Sequence, residues 1–108
     1  MRIKQIDDDR IVFDNGNLLY FYHEQQCCEF NYADWKQIDE LALDIDFDED
    51  IELERCDYGF RFGNPPIRMF FVPCYSEQNG YYDNTVNIVY ISRDRKHFKS
   101  IDGVEGME

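Results

Sequence analysis

Four cysteines and two histidines are the side chains of this sequence with the most reactive chemistry. His23, Cys27, Cys28 and Cys74 supply donor types that hold zinc. Neighbouring cysteines on a strand point to opposite faces, so Cys27 and Cys28 serve one ion only if the chain bends at Gln25-Gln26. Their spacing fits no zinc-ribbon or CxxC pattern, and the competing reading is that small apolar thiols simply pack. Cys74 beside His23 is the conceivable thiol–imidazole pair, His97 being the other imidazole. No Gly-rich oxyanion or nucleophile-elbow pattern accompanies any cysteine.

Carboxylates are the next candidates. Asp44-Ile45-Asp46-Phe47-Asp48-Glu49-Asp50 resembles a calcium loop until it is counted. With Asp44 as position one, Glu49 stands where the turn needs glycine and Arg55 where the bidentate glutamate belongs. The run reads instead as a solvated acidic connection. Among 23 acids a glycosidase-type pair cannot be singled out. No Walker or dinucleotide glycine motif exists, and Gly59 and Gly63 read as strand-end or bulge glycines. The expectation is a non-enzymatic chain with no cofactor.

Aromatic side chains offer a binding chemistry. Tyr75, Tyr81 and Tyr82 flank Gln78 and Asn79, so rings or bases could stack there while amides read their edges. This small-ligand or nucleotide-binding reading competes with a loop pinned by its own tyrosines. A phosphate-bearing ligand would need Arg61, Arg68 or the basic patch of Arg93, Arg95, Lys96 and Lys99.

Charge is the most informative property. Residues 7–57 carry 17 acids against Arg10, Lys36 and Arg55, a net of −14. Residues 58–108 carry six of each sign, and Arg2 and Lys4 add +2, which returns the overall −12. A chain of this charge does not grip phosphates non-specifically, because that attraction needs Lys and Arg to displace counterions. Its acids, at Asp7-Asp8-Asp9 and above all Asp39, Glu40, Asp44, Asp46, Asp48, Glu49, Asp50, Glu52 and Glu54, would attract a basic nucleic-acid-binding cleft through the field that phosphates use. The partner expected is thus a basic protein cleft, with no direct nucleic-acid or membrane contact. The oligomeric state is open, a dimer included.

The elements that must position these groups follow from periodicity. Ile3–Ile6 and Arg10–Asp14 are short strand candidates, and Asp14-Asn15-Gly16-Asn17 is a hairpin signal, since Asn-Gly tolerates positive φ. Leu18–His23 suits a central strand covered on both faces. Asn31 as a cap, with Trp35, Ile38, Leu41 and Ala42 at helical spacing, predicts an amphipathic helix from about Tyr32 to Leu43. Period-two patterns at 51–62, Ile67–Tyr75 and Val86–Ile91 predict further strands. The expected fold is α+β, a mostly antiparallel sheet with that one helix on a face. Residues 1–92 form the domain, and 93–108 form a basic patch and frayed acidic tail. No apolar run approaches the roughly 20 residues of a membrane span, and Met1-Arg2-Ile3-Lys4 leads to no signal-peptide core. Reduced thiols and a cytoplasmic location are expected.

Cys27-Cys28-Glu29 followed by Tyr32-Ala33-Asp34-Trp35, then Gly59-Phe60-Arg61-Phe62-Gly63, then Phe71-Val72-Pro73-Cys74-Tyr75 with Gln78-Asn79-Gly80-Tyr81-Tyr82, together resemble a family of small acidic domains encoded mostly in bacteriophage and mobile-element-bearing bacterial genomes. The similarity covers roughly residues 10–91 and implies a phage context rather than a chemistry. It suggests an inhibitor of host defence, of the anti-CRISPR or anti-restriction kind, that mimics nucleic acid. The shared Cys-Cys and Pro-Cys-Tyr elements keep a thiol, metal or small-ligand site open.

Overall fold

A computed structural model describes residues 1–22, 29–66, 68–78 and 84–108, apart from the side chains of Glu29 and Gln78. Nine strands run in order: β1 (Ile3–Ile6), β2 (Arg10–Phe13), β3 (Leu18–Tyr22), β4 (Glu29–Ala33), β5 (Glu52–Cys56), β6 (Gly59–Asn64), β7 (Arg68–Gln78), β8 (Thr85–Ile91) and β9 (Phe98–Glu105). They build two antiparallel sheets, one ordered β1-β2-β3-β8-β9 and the other β4-β7-β6-β5.

The α+β expectation is overturned: the described residues are nearly all β, with no helix of seven or more residues. Tyr32 and Ala33, expected to begin a helix, are paired to Tyr75 and Cys74 in β4. Asn31, expected as its cap, is buried in that strand and accepts a hydrogen bond from the Ser76 hydroxyl at 2.5 Å. Two 3₁₀ turns follow, Trp35–Gln37 and Glu40–Asp44. The reason lies in two aspartates. The Asp34 carboxylate accepts the Lys36 N–H at 3.2 Å and that of Asp39 accepts the Leu41 N–H at 3.0 Å. Each closes a local turn that competes with a continuous helix, and Ile38 between them is extended (ψ 146°). Trp35, Ile38 and Ala42 still reach the core, but Leu41 is half exposed. A spacing of three to four serves two tight turns as well as one helix.

Alternation explains the core. Ile11 and Phe13 of β2, Leu19 of β3, and Val86, Ile88 and Tyr90 of β8 face Phe60 and Phe62 of β6 and Phe70, Val72 and Cys74 of β7. The Asn-Gly turn does join β2 to β3, with Gly16 at φ 91°. β3 is central but unevenly covered: Leu19 is buried, Leu18 and Tyr20 on the opposite face are half-buried, and Tyr22 is exposed. The expected frayed tail is largely strand. β9 pairs with β8, and Val104 is buried. Beyond it Met107 bonds the backbone of Cys74 and Ser76, both at 2.9 Å, along β7 past the end of its pairing with β6. The sheet's unmet hydrogen-bonding groups thus recruit a segment whose composition reads as loose. Gly63 lets β6 and β7 approach closely, since a Cβ there would lie 2.2 Å from the Arg68 carbonyl oxygen.

Candidate docking surface

β4 and β5 are the two edges of the four-stranded sheet, so residues 34–51 must cross its width. That crossing is a strap. Trp35, Ile38, Ala42, Phe47 and Ile51 are buried, while Asp39, Glu40, Asp44, Asp46, Asp48, Glu49 and Asp50 are exposed. Phe47 touches both sheets: Phe13 at 5.9 Å edge-on, Phe62 at 5.7 Å and Phe70 at 5.9 Å edge-on. The strap backbone is pinned in three places. Phe47 N–H donates to the Met1 carbonyl at 2.6 Å, and the Tyr90 hydroxyl donates to the Glu49 carbonyl at 2.6 Å. The Asn64 side chain accepts from Asp48 N–H at 2.8 Å and donates to the carbonyls of Asp48 (3.2 Å) and Asp50 (3.1 Å). With the backbone and apolar side chains held, the carboxylates have nowhere to go but outward.

The nine acids expected to bind a partner are sorted by the fold into two sets. Asp39 pairs with Arg68 (3.6 Å), Glu52 with Lys99 (3.5 Å), Glu54 with Arg61, and Asp46 with the Met1 amino group (2.7 Å). Three of these cations come from the second half of the chain, so its bases shield part of the acidic half. Glu40, Asp44, Asp48, Glu49 and Asp50 have no ion pair among the described residues. Asp48, Asp50 and Glu52 line one concavity of about 520 Å³ with Asn64 and Pro65. Glu49 accepts from Asn15 at 2.8 Å at the β2–β3 turn. The unpaired acids of 48–50 therefore share one end of the sandwich, beside the β2–β3 and β6–β7 turns. Exposed pairs contribute only about 0–1 kcal/mol to stability, so what the four ion pairs do is lower the local negative charge rather than hold the fold.

Beneath the strap, Tyr90 is fully buried and takes a hydrogen bond from Asn17 at 2.9 Å. Burial first, then the charges of Glu49, Asp48 and Asp50, pushes its phenol from 10.0 to about 12. Burial alone pushes the Cys74 thiol from 9.0 to about 12. The unfolded chain releases these protons near pH 9 and 10 while the folded chain keeps them to about 12, so folding stability is whole below pH 9 and declines as the pH rises to 12. Urea midpoints across that range will fall, and Tyr90→Phe will flatten the decline between pH 10 and 12. An unchanged slope in the variant would remove Tyr90 from this account.

The other expected site residues fare differently. Cys74 is buried on the core face of β7 and fully enclosed. His23, Cys27 and Cys28 lie outside the described residues, as do Asn79, Tyr81, Tyr82 and the side chain of Gln78. Tyr75 is half-buried, 5.6 Å from the Tyr32 ring, and its hydroxyl accepts from the Gln37 amide at 2.9 Å. That phenol is already engaged by the strap.

One feature escaped the sequence. At the far end of the β2–β3 hairpin from Glu49, a cavity of about 500 Å³ opens beside the edge strand β4 and the β1–β2 turn. Its aromatic walls are Phe21, Phe30, Tyr32 and Trp35, and its acids are Asp7, Asp8, Asp9 and Asp34. Lys36 lies at the rim with its ammonium 2.7 Å from Asp8, holding that carboxyl below the usual range. The Asp-Asp-Asp run was visible as charge. That it faces aromatic rings depends on packing between sheets and on no local pattern.

No family model, curated protein or solved structure matches the chain. No helix among the described residues is long and apolar enough to cross a membrane.

Proposed function

We propose that this chain is a non-enzymatic interaction protein whose acidic end occupies the basic, nucleic-acid-binding cleft of a partner, in a phage setting a host defence nuclease of the CRISPR or restriction type. The observation that carries this reading is the strap: acids 44–50 project outward from a backbone anchored by Phe47 and Ile51. Asp44, Asp48, Glu49 and Asp50 are four unpaired charges on six residue steps, at most about 21 Å of contour at about 3.5 Å per step. The mean interval is thus at most about 7 Å, and within the consecutive run 48–50 at most about 3.5 Å, against about 3.4 Å between phosphates along a DNA strand. Preorganisation matters as much as density. A disordered acidic tail would lose entropy on docking that a pinned strap has already lost.

The test is exclusion. The protein is used to capture its partner from bacterial cytosol at low salt, and the partner's nucleic acid is then titrated in. The reading expects competitive release, and a release midpoint that rises in proportion to the amount of this protein. A stable ternary complex, or no capture at low salt, would overturn it.

A further inference from the structure

We infer that the aromatic-walled cavity receives the guanidinium of an arginine side chain presented by the partner protein. This deepens the reading of the chain as a binder of a basic partner, and rests on it. The cavity's size, about 500 Å³, lies within the roughly 300–1,000 Å³ of small-molecule sites. Its composition is what a weakly hydrated organic cation needs, aromatic rings and carboxylates lining one concavity. Phe30 is half exposed although its ring lies 5.0 Å from that of Tyr32, tilted by 31°, so apolar ring surface stays open to solvent. Tyr32 and Tyr75 continue that ladder, and Trp35 lies behind it, stacked on Phe21 at 6.3 Å.

The acids are not equally committed. Asp7 is held by Gln5 (2.7 Å) and Arg10 (3.6 Å), whereas Asp34 accepts only neutral donors and Asp9 has no side-chain partner among the described residues. One cation is already seated at the rim, for the Lys36 ammonium on Asp8 is a tethered occupant supplied by the chain itself. Both groups are largely exposed, so that pair yields cheaply to a better cation. Arginine is the better cation here. Its planar, delocalised head sheds water readily, stacks on rings and bonds two carboxylate oxygens at once, where lysine offers a strongly hydrated point charge. Arginine is also prominent among the residues that dominate binding at protein interfaces.

Trp35 is the single tryptophan of the chain and lines the cavity, so its emission reports occupancy without a label. Titrating the full chain with N-acetyl-argininamide at low salt should give a saturable change at millimolar concentration. N-acetyl-citrullinamide, alike in shape but uncharged, and N-acetyl-lysinamide should be at least tenfold weaker. Lys36→Met removes the tethered competitor and should tighten the arginine probe severalfold. The double variant Asp9→Asn/Asp34→Asn, whose amide oxygen at position 34 can still accept the Lys36 N–H, should weaken the probe at least tenfold and, with thermal unfolding monitored as the control, weaken the captured partner as well. A linear, non-saturating response, equal responses to the three probes, or no gain in Lys36→Met would overturn the assignment. Partner affinity unchanged in the double variant would also overturn it, by assigning the cavity to a free guanidinium compound. The probe titration contains no partner, so its failure leaves the exclusion experiment standing, and the converse holds.

Discussion

Phe47→Ala will lower the unfolding free energy by about 3–5 kcal/mol, the usual cost of emptying a buried phenylalanine site. Few substitutions here should cost more, because Phe47 is the only ring among the described residues that touches Phe13 in one sheet and both Phe62 and Phe70 in the other. Its removal opens a void where the sheets meet and releases the middle of the strap. A domain of this size holds about 5–15 kcal/mol in total, so the variant sits at or near the threshold of folding at 37 °C. Phe47→Leu keeps most of the apolar volume and should retain most of the stability. Urea unfolding of the three proteins will decide the matter. An alanine variant within about 1 kcal/mol of the parent would mean that Phe47 is not the clasp between the sheets.

Reversing Glu40, Asp44, Glu49 and Asp50 to lysine should slow association with the captured partner by about 10–10³-fold at low salt, the range attributed to electrostatic steering. Each reversal removes one negative charge and adds one positive, so the net charge moves from −12 to −4. Asp48 is spared because its carboxylate accepts the Asp50 N–H at 2.9 Å and shapes the strap. All four chosen side chains are exposed, and none is ion-paired among the described residues, so the fold should survive with little change in midpoint. Above roughly 0.5 M salt screening shrinks to a few ångströms and the two proteins should associate at similar rates. A companion variant carrying Asp39, Glu52 and Glu54 as lysines should behave differently. It breaks pairs with Arg68, Lys99 and Arg61, losing some stability while slowing association less, because those acids were already shielded. Slowing by the two sets in proportion to the charge each reverses, eight units against six, would show that only net charge matters and that the strap has no privileged role.

Much of the sheet was legible in the sequence. Phe60 and Phe62, alternating with Arg61, are buried in β6, and the strands expected at 10–14 and 86–91 stand as β2 and β8, because a strand's period of two is a local property. The Asn15-Gly16 turn was legible for the same reason. The helix was misread because Trp35, Ile38 and Ala42 at spacings of three and four fit two turns as well as one helix. Asp34 and Asp39 hold the deciding carboxylate-to-backbone bonds, and only the folded chain shows that they form. The tail was misread because Phe98–Glu105 has little of its own to bury. Its order comes from β8, the strand it pairs with.

What the sequence alone determined is an acidic first half, a balanced second half and enough alternating apolar residues to bury a β core. Those are sums and local periods, and they hold however the strands pair. Only tertiary structure decided which acids remain unpaired, since Arg61 lies opposite Glu54 by strand register, while Arg68 and Lys99 meet Asp39 and Glu52 through long-range packing. Tertiary structure also set Asp9 and Asp34 around Phe21, Phe30 and Tyr32. Contacts between sheets join residues far apart in the chain, and the free energy that selects among them belongs to the whole core rather than to any short stretch of it.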